Sequence, residues 1–349
     1  MRIKRFGFLC VLGAVVFLMT VSAAFAATEC VWIGGATGNL KEKINWPNGT
    51  RPSGNADAHV AVFTNSTEIS MGSGCCAQDR SAKFVMRPIC KQGYTEDDAP
   101  GIPGNSLEAF KLAWKKGAKL IETDCWMTKD GRIILVHDSK VLNRQSGEKQ
   151  PPINELTQAD IARIDIGKRQ KSKVPIRIPY LEDVLATMPK DAIAQCEVQG
   201  WRNKGFFDAF EKIRINAGLS ETNFVISSGS NEALRMFRRR NPKYRTLWLC
   251  TKFLNSPNLD AAIDKIIKDA KRFDISIVCP RAFTAKKVGF TLEQADRFRA
   301  AGIEFRIWGV NTAELFAYAK YLKVPVFTCA EWKASFEWAK NHPDVEILP

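Results

Sequence analysis

The stretch GAKLIETDCWMTKDGRIILVHD, residues 117–138, contains two short apolar runs that both end in polar side chains. The first run ends with Glu122 and Asp124, and the second ends with His137 and Asp138. Residues two apart on a β-strand share one face, so the two carboxylates are expected to point the same way. The stretch therefore predicts two neighbouring strands whose polar ends meet at one edge of a sheet.

The same rhythm of apolar runs continues through residues 81–349. Amphipathic helical patterns separate the runs, and a final helical pattern follows the last one. The runs are KFVMRPIC (83–90), AKLIETDC (118–125), AIAQCEVQ (192–199), NFVISS (223–228), YRTLWLC (244–250), ISIVCP (275–280), EFRIWGVN (304–311) and VPVFTC (324–329). Continuous apolar strands alternating with helices indicate a parallel sheet covered by helices.

Eight such units in about 260 residues match the count and size of a (β/α)8 TIM barrel, in the α/β class. A doubly wound open sheet is the alternative. That fold usually carries a glycine-rich phosphate loop after its first strand, and the segment ICKQGYTEDD at 89–98 is not one.

The N-terminal 26 residues have the pattern of a secretory signal peptide. Arg2, Lys4 and Arg5 precede an apolar run, and Ala24-Phe25-Ala26 supplies small residues for cleavage. An uncleaved membrane anchor is the alternative. No later run approaches the roughly 18 apolar residues of a spanning helix, so we expect no stable membrane span after cleavage. The sequence thus predicts an exported protein, periplasmic or extracellular.

Residues 27–80 differ from the rest in being rich in Gly, Asn, Ser and Thr. Short alternating runs such as AHVAVF predict a small N-terminal β appendage. Removing Cys10 with the signal leaves nine of the ten cysteines. Three lie in or beside this segment, at Cys30, Cys75 and Cys76, where a disulfide is plausible.

The formal net charge is +14, and Lys and Arg are spread over many predicted helices. Such a distribution is typical of a solvated surface. No nucleic-acid-binding motif accompanies it, so nucleic acid is not an expected partner. The competing interpretation is that the charge of a basic exported protein attracts phosphate-bearing or anionic-membrane partners.

A TIM barrel places its chemistry at the C-terminal ends of its strands. Glu122, Asp124 and Glu197 all fall there, and carboxylates without matching cations favour a hard divalent ion, Mg²⁺ or Ca²⁺. Ordinary ion pairs with Lys or Arg are the competing interpretation. His137 is the natural proton-transfer group, since the pKa of a free imidazole lies near 6.5.

Further motifs complete a pattern that is similar to a known family. KQG at 91–93 with GNSLEAF at 104–110, INELTQADIARIDIG at 153–167, IPYLEDVL at 178–185 and WGVNT at 308–312 join the central stretch. Over residues 84–335 the sequence resembles the glycerophosphodiester phosphodiesterase family. The resemblance implies a TIM barrel that uses a divalent metal to hydrolyse glycerophosphodiesters to glycerol phosphate and an alcohol, a reaction of lipid metabolism. It implies Glu122, Asp124 and Glu197 as metal ligands and His137 as one of two acid/base histidines.

The sequence departs from the family pattern at several positions around the expected phosphate. Lys91 replaces the first catalytic His, and Gln92 replaces the neighbouring phosphate-binding Arg. Gly104 and Gln199 replace a Glu and a Lys, whereas Asn105 is retained. We therefore expect Lys91 to be catalytic beside His137. The expected substrate-binding residues are Gln92, Asn105, Gln199 and Trp308.

Two classes of function follow from these departures. The first is an exported, metal-dependent phosphodiesterase with altered acid/base residues, acting on a glycerophosphodiester or phospholipid head group. A Lys ammonium is a poor base at neutral pH, although burial beside the metal would lower the pKa of Lys91 and make it usable; Lys91 could also donate a proton to the leaving alkoxide or bind phosphate. The alternative is a catalytically inactive barrel that binds phosphodiesters or polyols. A third outcome is a cyclic phosphate product, as in the related venom phospholipase D enzymes.

Overall fold

The computed structural model divides into two compact units, Met1–Lys83 and Phe84–Pro349. It describes residues 83–349, except 96–98, 252–255, 257 and 283–288, and the backbone of four strands nearer the N-terminus. These four strands are β1 (Gly7–Val11), β2 (Ala14–Met19), β3 (Thr28–Val31) and β4 (His59–Phe63). They form one sheet in the order β1-β2-β4-β3. The predicted cleavage site at residues 24–26 and the side chains of Cys30, Cys75 and Cys76 lie outside the described residues.

The second unit is built on one sheet of mostly parallel strands. Its strands are β5 (Phe84–Lys91), β6 (Leu120–Met127), β7 (Ile133–Leu135), β8 (Ile193–Val198), β9 (Phe224–Ser228), β10 (Arg245–Trp248), β11 (Ile277–Val278), β12 (Glu304–Phe305), β13 (Ile307–Trp308), β14 (Val326–Cys329) and β15 (Val345–Ile347). The path of hydrogen-bonded neighbours is β12-β11-β10-β9-β8-β6-β5-β14-β13, and all these pairs are parallel.

The two ends of this path belong to the same stretch of chain. Only Arg306 separates β12 from β13, and its backbone N–H donates to the carbonyl of Val278 at 2.9 Å. β12 pairs with β11 while β13 pairs with β14, so one interrupted strand brings the sheet round on itself. The predicted TIM barrel is confirmed, and an open doubly wound sheet is excluded.

Helices cover the barrel, and eight of them follow the predicted helical patterns. The helices are α1 (Leu107–Lys115), α2 (Ser139–Ser146), α3 (Gln158–Ile161), α4 (Leu181–Thr187), α5 (Phe206–Asn216), α6 (Asn231–Arg240), α7 (Leu259–Arg272), α8 (Leu292–Ala300), α9 (Ala313–Tyr321) and α10 (Trp332–Ala339). α1 is representative: the Ser106 hydroxyl caps its N-terminus, and Phe110 is fully buried. Within the described part, no helix combines the length and apolar character needed to cross a bilayer.

Side chains alternate between the inside of the barrel and the helix layer. On the seventh strand Phe305 faces outward and stacks on Phe298 of α8 at a centroid distance of 5.1 Å. Inside, Val225, Leu247 and Ile277 form a separate apolar cluster with Cys279. This cluster fills part of the interior, while the carboxylates of β6 and β8 lie at its C-terminal end.

An insertion after β6 shapes one side of the mouth. β7 pairs antiparallel with the end of β6, from Cys125↔Leu135 to Met127↔Ile133. Behind it, residues 134–178 contribute a second apolar core that includes Leu142, Leu156 and Ile176. This core supports the turn carrying His137 and Asp138.

Candidate functional site

Three carboxylates meet at the C-terminal end of β6 and β8. Asp124 is the register partner of Glu197, and Glu122 is the register partner of Lys91 on β5. One oxygen each from Glu122, Asp124 and Glu197 lies within 4.8 Å of the others. Glu122 and Asp124 are only 4% and 0% exposed, so these two carboxylates are almost completely shielded from solvent. The structure therefore brings together the three residues predicted as metal ligands.

Two oxygens of this cluster are buried without a hydrogen-bond partner, Glu122 Oε2 and Asp124 Oδ1. Burial raises the pKa of the Glu122 carboxyl well above its usual 4.5; Asp124 and Glu197 raise it further, while Lys91 lowers it. Burial and the charge of Asp124 likewise raise the pKa of Glu197 to about 8. Unsatisfied buried oxygens on mutually repelling acids fit a hard divalent cation, which would satisfy and ionise them together.

Asp124 is held by two amides that the sequence predicted to contact substrate. Gln92 Nε2 and Asn105 Nδ2 both donate to Asp124 Oδ2, each at 2.8 Å. The carbonyl oxygen of the Asn105 side chain accepts from the Thr123 hydroxyl at 2.9 Å. Because both donors use Oδ2, Oδ1 stays available to a ligand. Thr123 was not singled out from the sequence, since its partner lies 18 residues away.

The backbone at both amides is in the left-handed region, with φ of 55° at Gln92 and 61° at Asn105. Asn tolerates this conformation well, whereas Gln adopts it less readily. The Asn105 backbone N–H donates to the Gln92 carbonyl at 2.8 Å, and the Gln92 N–H donates to the Glu122 carbonyl at 2.8 Å. These bonds tie both turns to β6 and stabilise the conformation.

Gly104 and Gln92, two departures from the family pattern, are physically linked. A Cβ at Gly104 would lie 2.9 Å from Gln92 Oε1 and 3.2 Å from Gln92 Cβ. Any larger residue at 104 would therefore displace the Gln92 side chain from its bond to Asp124. The two positions form one unit, in which glycine makes the room that the amide uses.

Lys91 and Gln199 flank the carboxylates from either side. Lys91 ends β5 level with Glu122 and is partly exposed, and its charge opposes the raised pKa of both Glu122 and Glu197. Among the described residues, Lys91 forms no ion pair within 4.0 Å. Gln199 Nε2 donates to Glu197 Oε1 at 2.5 Å. The ammonium is thus free to meet a ligand at the mouth, whereas the Gln199 amide is already engaged.

His137 and Asp138 form a hydrogen-bonded pair at the edge of the mouth. His137 Nδ1 lies 2.8 Å from Asp138 Oδ2, and both side chains are about two-fifths exposed, at 36% and 41%. The indole N–H of Trp126, two residues after Asp124, donates to the His137 carbonyl at 3.2 Å. When Nδ1 carries the proton toward Asp138, Nε2 is left to exchange a proton with a substrate.

One of the two other histidines, His342, does not belong to this site. His342 follows α10, stacks on Trp338 at 3.9 Å, and lies beside β15, which pairs with the first residues of β5. It therefore sits toward the opposite end of the barrel. The side chain of His59 lies outside the described residues.

Trp308 ends β13 on the far side of the mouth. Its indole N–H donates to Thr251 Oγ1 at 3.0 Å, and the Arg281 guanidinium carbon lies 5.4 Å from its ring centroid. Neither Thr251 nor Arg281 was predicted, because each lies in a loop with no recognisable motif. The position of Arg281 directly after the sixth apolar run could have indicated that it lies at the barrel mouth.

The barrel also carries an unpredicted buried cation. Arg306 is 3% exposed, and its Nε donates to Glu304 Oε1 at 2.6 Å. Its Nη1, together with Gln195 Oε1 and Ser227 Oγ, is buried with no hydrogen-bond partner. Gln195 is the register partner of Glu122, and Ser227 is that of Glu197, so these two buried polar side chains lie level with the carboxylates on adjacent strands, the kind of place where ordered water resides in proteins.

The sequence model of the glycerophosphoryl diester phosphodiesterase family matches residues 97–328. The chain belongs to this family. The chain is 30% identical over 161 residues to the glycerophosphodiester phosphodiesterase of Caldanaerobacter subterraneus, covering 44% of this chain and 64% of that protein. The Bacillus subtilis enzyme is 27% identical over 181 residues, covering 47% and 61%. The match thus spans somewhat under two thirds of each relative.

Solved structures of the glycerophosphodiester phosphodiesterase family share the barrel. A Galdieria sulphuraria protein assigned to this activity superposes with a TM-score of 0.63 and 18% identity, over 75% of this chain and all of that one. An Oleispira antarctica phosphodiesterase, solved with its product sn-glycerol-3-phosphate, gives 0.58 and 16%, over 74% and 98%. At these identities the likeness shows the fold alone.

Proposed function

We propose that this glycerophosphodiester phosphodiesterase family member hydrolyses glycerophosphodiesters to glycerol phosphate and an alcohol, using a divalent metal. The observation that carries the proposal is the largely buried carboxylate cluster of Glu122, Asp124 and Glu197. Its unsatisfied oxygens lie at the barrel mouth beside Lys91 and the His137–Asp138 pair. We further propose that the chain is exported, on the signal-like pattern of its first 26 residues.

The three carboxylates would hold Mg²⁺ or Ca²⁺, and such an ion polarises a phosphoryl group and neutralises its charge. Asp124 is aligned for this role by Gln92 and Asn105, which leave its Oδ1 open. The burial of Glu122 lowers the local dielectric and so strengthens its attraction for a cation.

Two groups of the chain are left for proton transfer. His137, oriented through Nδ1 by Asp138, would remove or deliver a proton at Nε2 on one side of the phosphorus. Lys91 stands beside Glu122, where its ammonium would bind a phosphoryl oxygen or protonate the leaving alkoxide. In this arrangement one imidazole and one ammonium replace the two imidazoles that the family pattern implies.

Glycerol phosphate release from glycerophosphocholine and glycerophosphoethanolamine, with Mg²⁺ or Ca²⁺, tests the proposal. The full chain is compared with Glu122→Gln, with the restored variant Lys91→His/Gln92→Arg, and with Glu337→Gln as a control on the exposed face of α10. We expect release by the native chain and Glu337→Gln, and a loss of about 100-fold or more in Glu122→Gln.

Activity in the restored variant alone would instead favour the binding-protein alternative, in which loss of the first His ended catalysis. Phosphorus NMR of the product separates open-chain glycerol phosphate from a cyclic phosphate. Release that is equal in native protein and Glu122→Gln would refute the metal-dependent mechanism.

A further inference from the structure

We propose that Arg281 and Trp308 form the subsite for the alcohol half of the diester. In this subsite Arg281 selects alcohols that are anionic or uncharged and disfavours quaternary ammonium groups. This inference rests on the proposed function and adds the substrate class that the mouth accepts.

The position of Arg281 follows from the strand order. β11 lies four strands from β6 in either direction around the barrel, when β12 and β13 are counted as one strand. Arg281 follows β11 and forms a parallel bridge with Trp308, and the Ala282 N–H donates to the Trp308 carbonyl at 2.9 Å. The guanidinium therefore stands across the mouth from the carboxylates of β6.

On one side of the barrel wall, β9 lies midway between β6 and β11. The chain leaves β9 through Gly229, where an added Cβ would find its nearest neighbour, Leu249 O, 4.0 Å away. A diester whose phosphate is held near Asp124 and Lys91 would extend its alcohol half toward Trp308. The indole ring is fixed in place, because its N–H is bonded to Thr251.

The charge of the subsite decides which alcohol fits. The Arg281 guanidinium carbon lies 5.4 Å from the Trp308 ring centroid, so the ring already has a cation–π partner. In the described part of the chain, no carboxylate forms an ion pair with Arg281 within 4.0 Å. A choline group entering here would meet a positive charge that no described carboxylate neutralises, whereas hydroxyl or carboxylate oxygens would accept hydrogen bonds from the guanidinium.

Arg281 matters more because position 92, where the family pattern implies a phosphate-binding Arg, carries the neutral Gln92. Gln92 is neutral and already bonded to Asp124, so it contributes no charge to the ligand. Lys91 and Arg281 are then the cations that face a diester from opposite sides of the described mouth. With Gln92 neutral, Arg281 supplies positive charge on the side of the mouth proposed for the alcohol.

The test compares glycerophosphoglycerol, whose alcohol is uncharged, with glycerophosphocholine. For each we would measure kcat/KM of the full chain, and the dissociation constant by calorimetry with Mg²⁺ present. Arg281→Gln removes the charge. Arg272→Gln is the matched control, because Arg272 is also exposed and lies 5.3 Å over an aromatic ring, that of Phe273, at the end of α7.

We expect the native chain and Arg272→Gln to prefer glycerophosphoglycerol by roughly threefold to 100-fold, the range for one cation about 6 Å away in a partly solvated site. Arg281→Gln should reduce this preference toward one. An equal preference in native protein and Arg281→Gln would overturn the inference and leave the proposed function standing. Failure of the native chain to hydrolyse or bind either diester would overturn both.

Discussion

The two oxygens of Asp124 have different environments. Oδ2 accepts both amide hydrogen bonds, and Oδ1 is buried without a partner. This division orients the carboxylate before any ligand arrives, and orientation of metal ligands by neighbouring hydrogen bonds usually strengthens metal affinity. Substitution of residues that orient Asp124 without touching the ligand should therefore lower the affinity for the metal.

The link between Gly104 and Gln92 can be tested by a double-mutant cycle. Gly104→Ala should displace the Gln92 amide from Asp124 and weaken Mg²⁺ binding by roughly ten- to hundredfold, the usual cost of losing a group that orients a metal ligand. In a Gln92→Ala background the same change should have almost no effect, since no amide remains to be displaced. Calorimetric titration with Mg²⁺ measures both steps, and additive effects would show that the positions are independent.

The raised pKa of Glu197 predicts how the metal-free protein responds to pH. The folded protein keeps this carboxyl protonated up to about pH 8, whereas the unfolded chain releases the proton near 4.5. The stabilisation is therefore complete below pH 4.5 and is lost as pH rises through 8, by on the order of 3 kcal/mol. Thermal unfolding in EDTA should show a falling Tm across this range.

Glu197→Gln provides the control for that measurement, because the amide does not titrate. Its Tm should depend less on pH than that of the native chain over the same range. Adding Mg²⁺ should raise the native Tm more at pH 8 than at pH 5, since protons compete with the metal. If the Tm of the native protein and that of Glu197→Gln change in parallel with pH in EDTA, the raised pKa of Glu197 is contradicted.

Sequence patterns predicted which residues converge at the site, but they did not predict which atoms those residues contact. Glu122, Asp124 and Glu197 were predicted to converge because strand parity and barrel topology suffice to place them. Gln92 and Asn105 were predicted to bind substrate, but in the structure they donate to Asp124. That contact depends on two left-handed turns and on the missing side chain of Gly104, which strand patterns do not describe.

Helix α2 links a structural cap to the catalytic proposal. Asp138 is its N-cap: Oδ1 accepts from the Val141 N–H at 2.7 Å, and Oδ2 holds His137. Burial opposes the charge on Asp138, but the hydrogen bonds from Val141 and His137 outweigh it, so the pKa of the carboxyl is lowered. One side chain thus starts a helix and orients the imidazole.

The two roles of Asp138 should separate in two variants. Asp138→Asn keeps a good cap but loses the acceptor for His137 Nδ1, so kcat should fall about tenfold or more with KM and Tm little changed. Asp138→Ala should lose the same activity and also about 1 kcal/mol of stability. Steady-state kinetics and urea denaturation check both. A normal kcat in Asp138→Asn would remove the orienting role.

The apolar runs predicted all eight barrel strands, but not the interruption in the seventh. EFRIWGVN alternates as one strand, and the structure divides it at Arg306 into β12 and β13. A charged residue in an apolar run gave a hint of this. Its partner Glu304 lies two residues earlier on the same face, a pairing that strand parity allows but does not require.

At the scale of the whole barrel, the buried pair of Arg306 and Glu304 makes a sharp prediction about stability. The Arg306 side chain is 4% exposed and that of Glu304 is 30% exposed; Glu304 also pairs with Arg245. Glu304→Ala would leave a buried guanidinium without a counter-charge and should cost about 3 kcal/mol. Arg306→Met should stay within about 1 kcal/mol of the native protein, because Glu304 keeps Arg245 and the unsatisfied Nη1 is removed.

Urea denaturation of the two single variants and the double variant measures this asymmetry. The double variant should recover most of the stability that Glu304→Ala loses, since no buried charge remains. Equal losses in both single variants would mean that the guanidinium is satisfied by other groups in the interior.

The seam between β5 and β14 determines when this molecule can finish folding. Arg87 pairs with Val326 and Cys90 pairs with Cys329, across almost the whole length of the barrel unit, and β15 adds Val345 beside Phe84. Contacts between such distant segments form late, because a long loop must close first. During synthesis β5 must wait with one edge unpaired until β14 has emerged. Its backbone N–H and C=O groups on that edge stay without their native partners for most of the synthesis of the barrel.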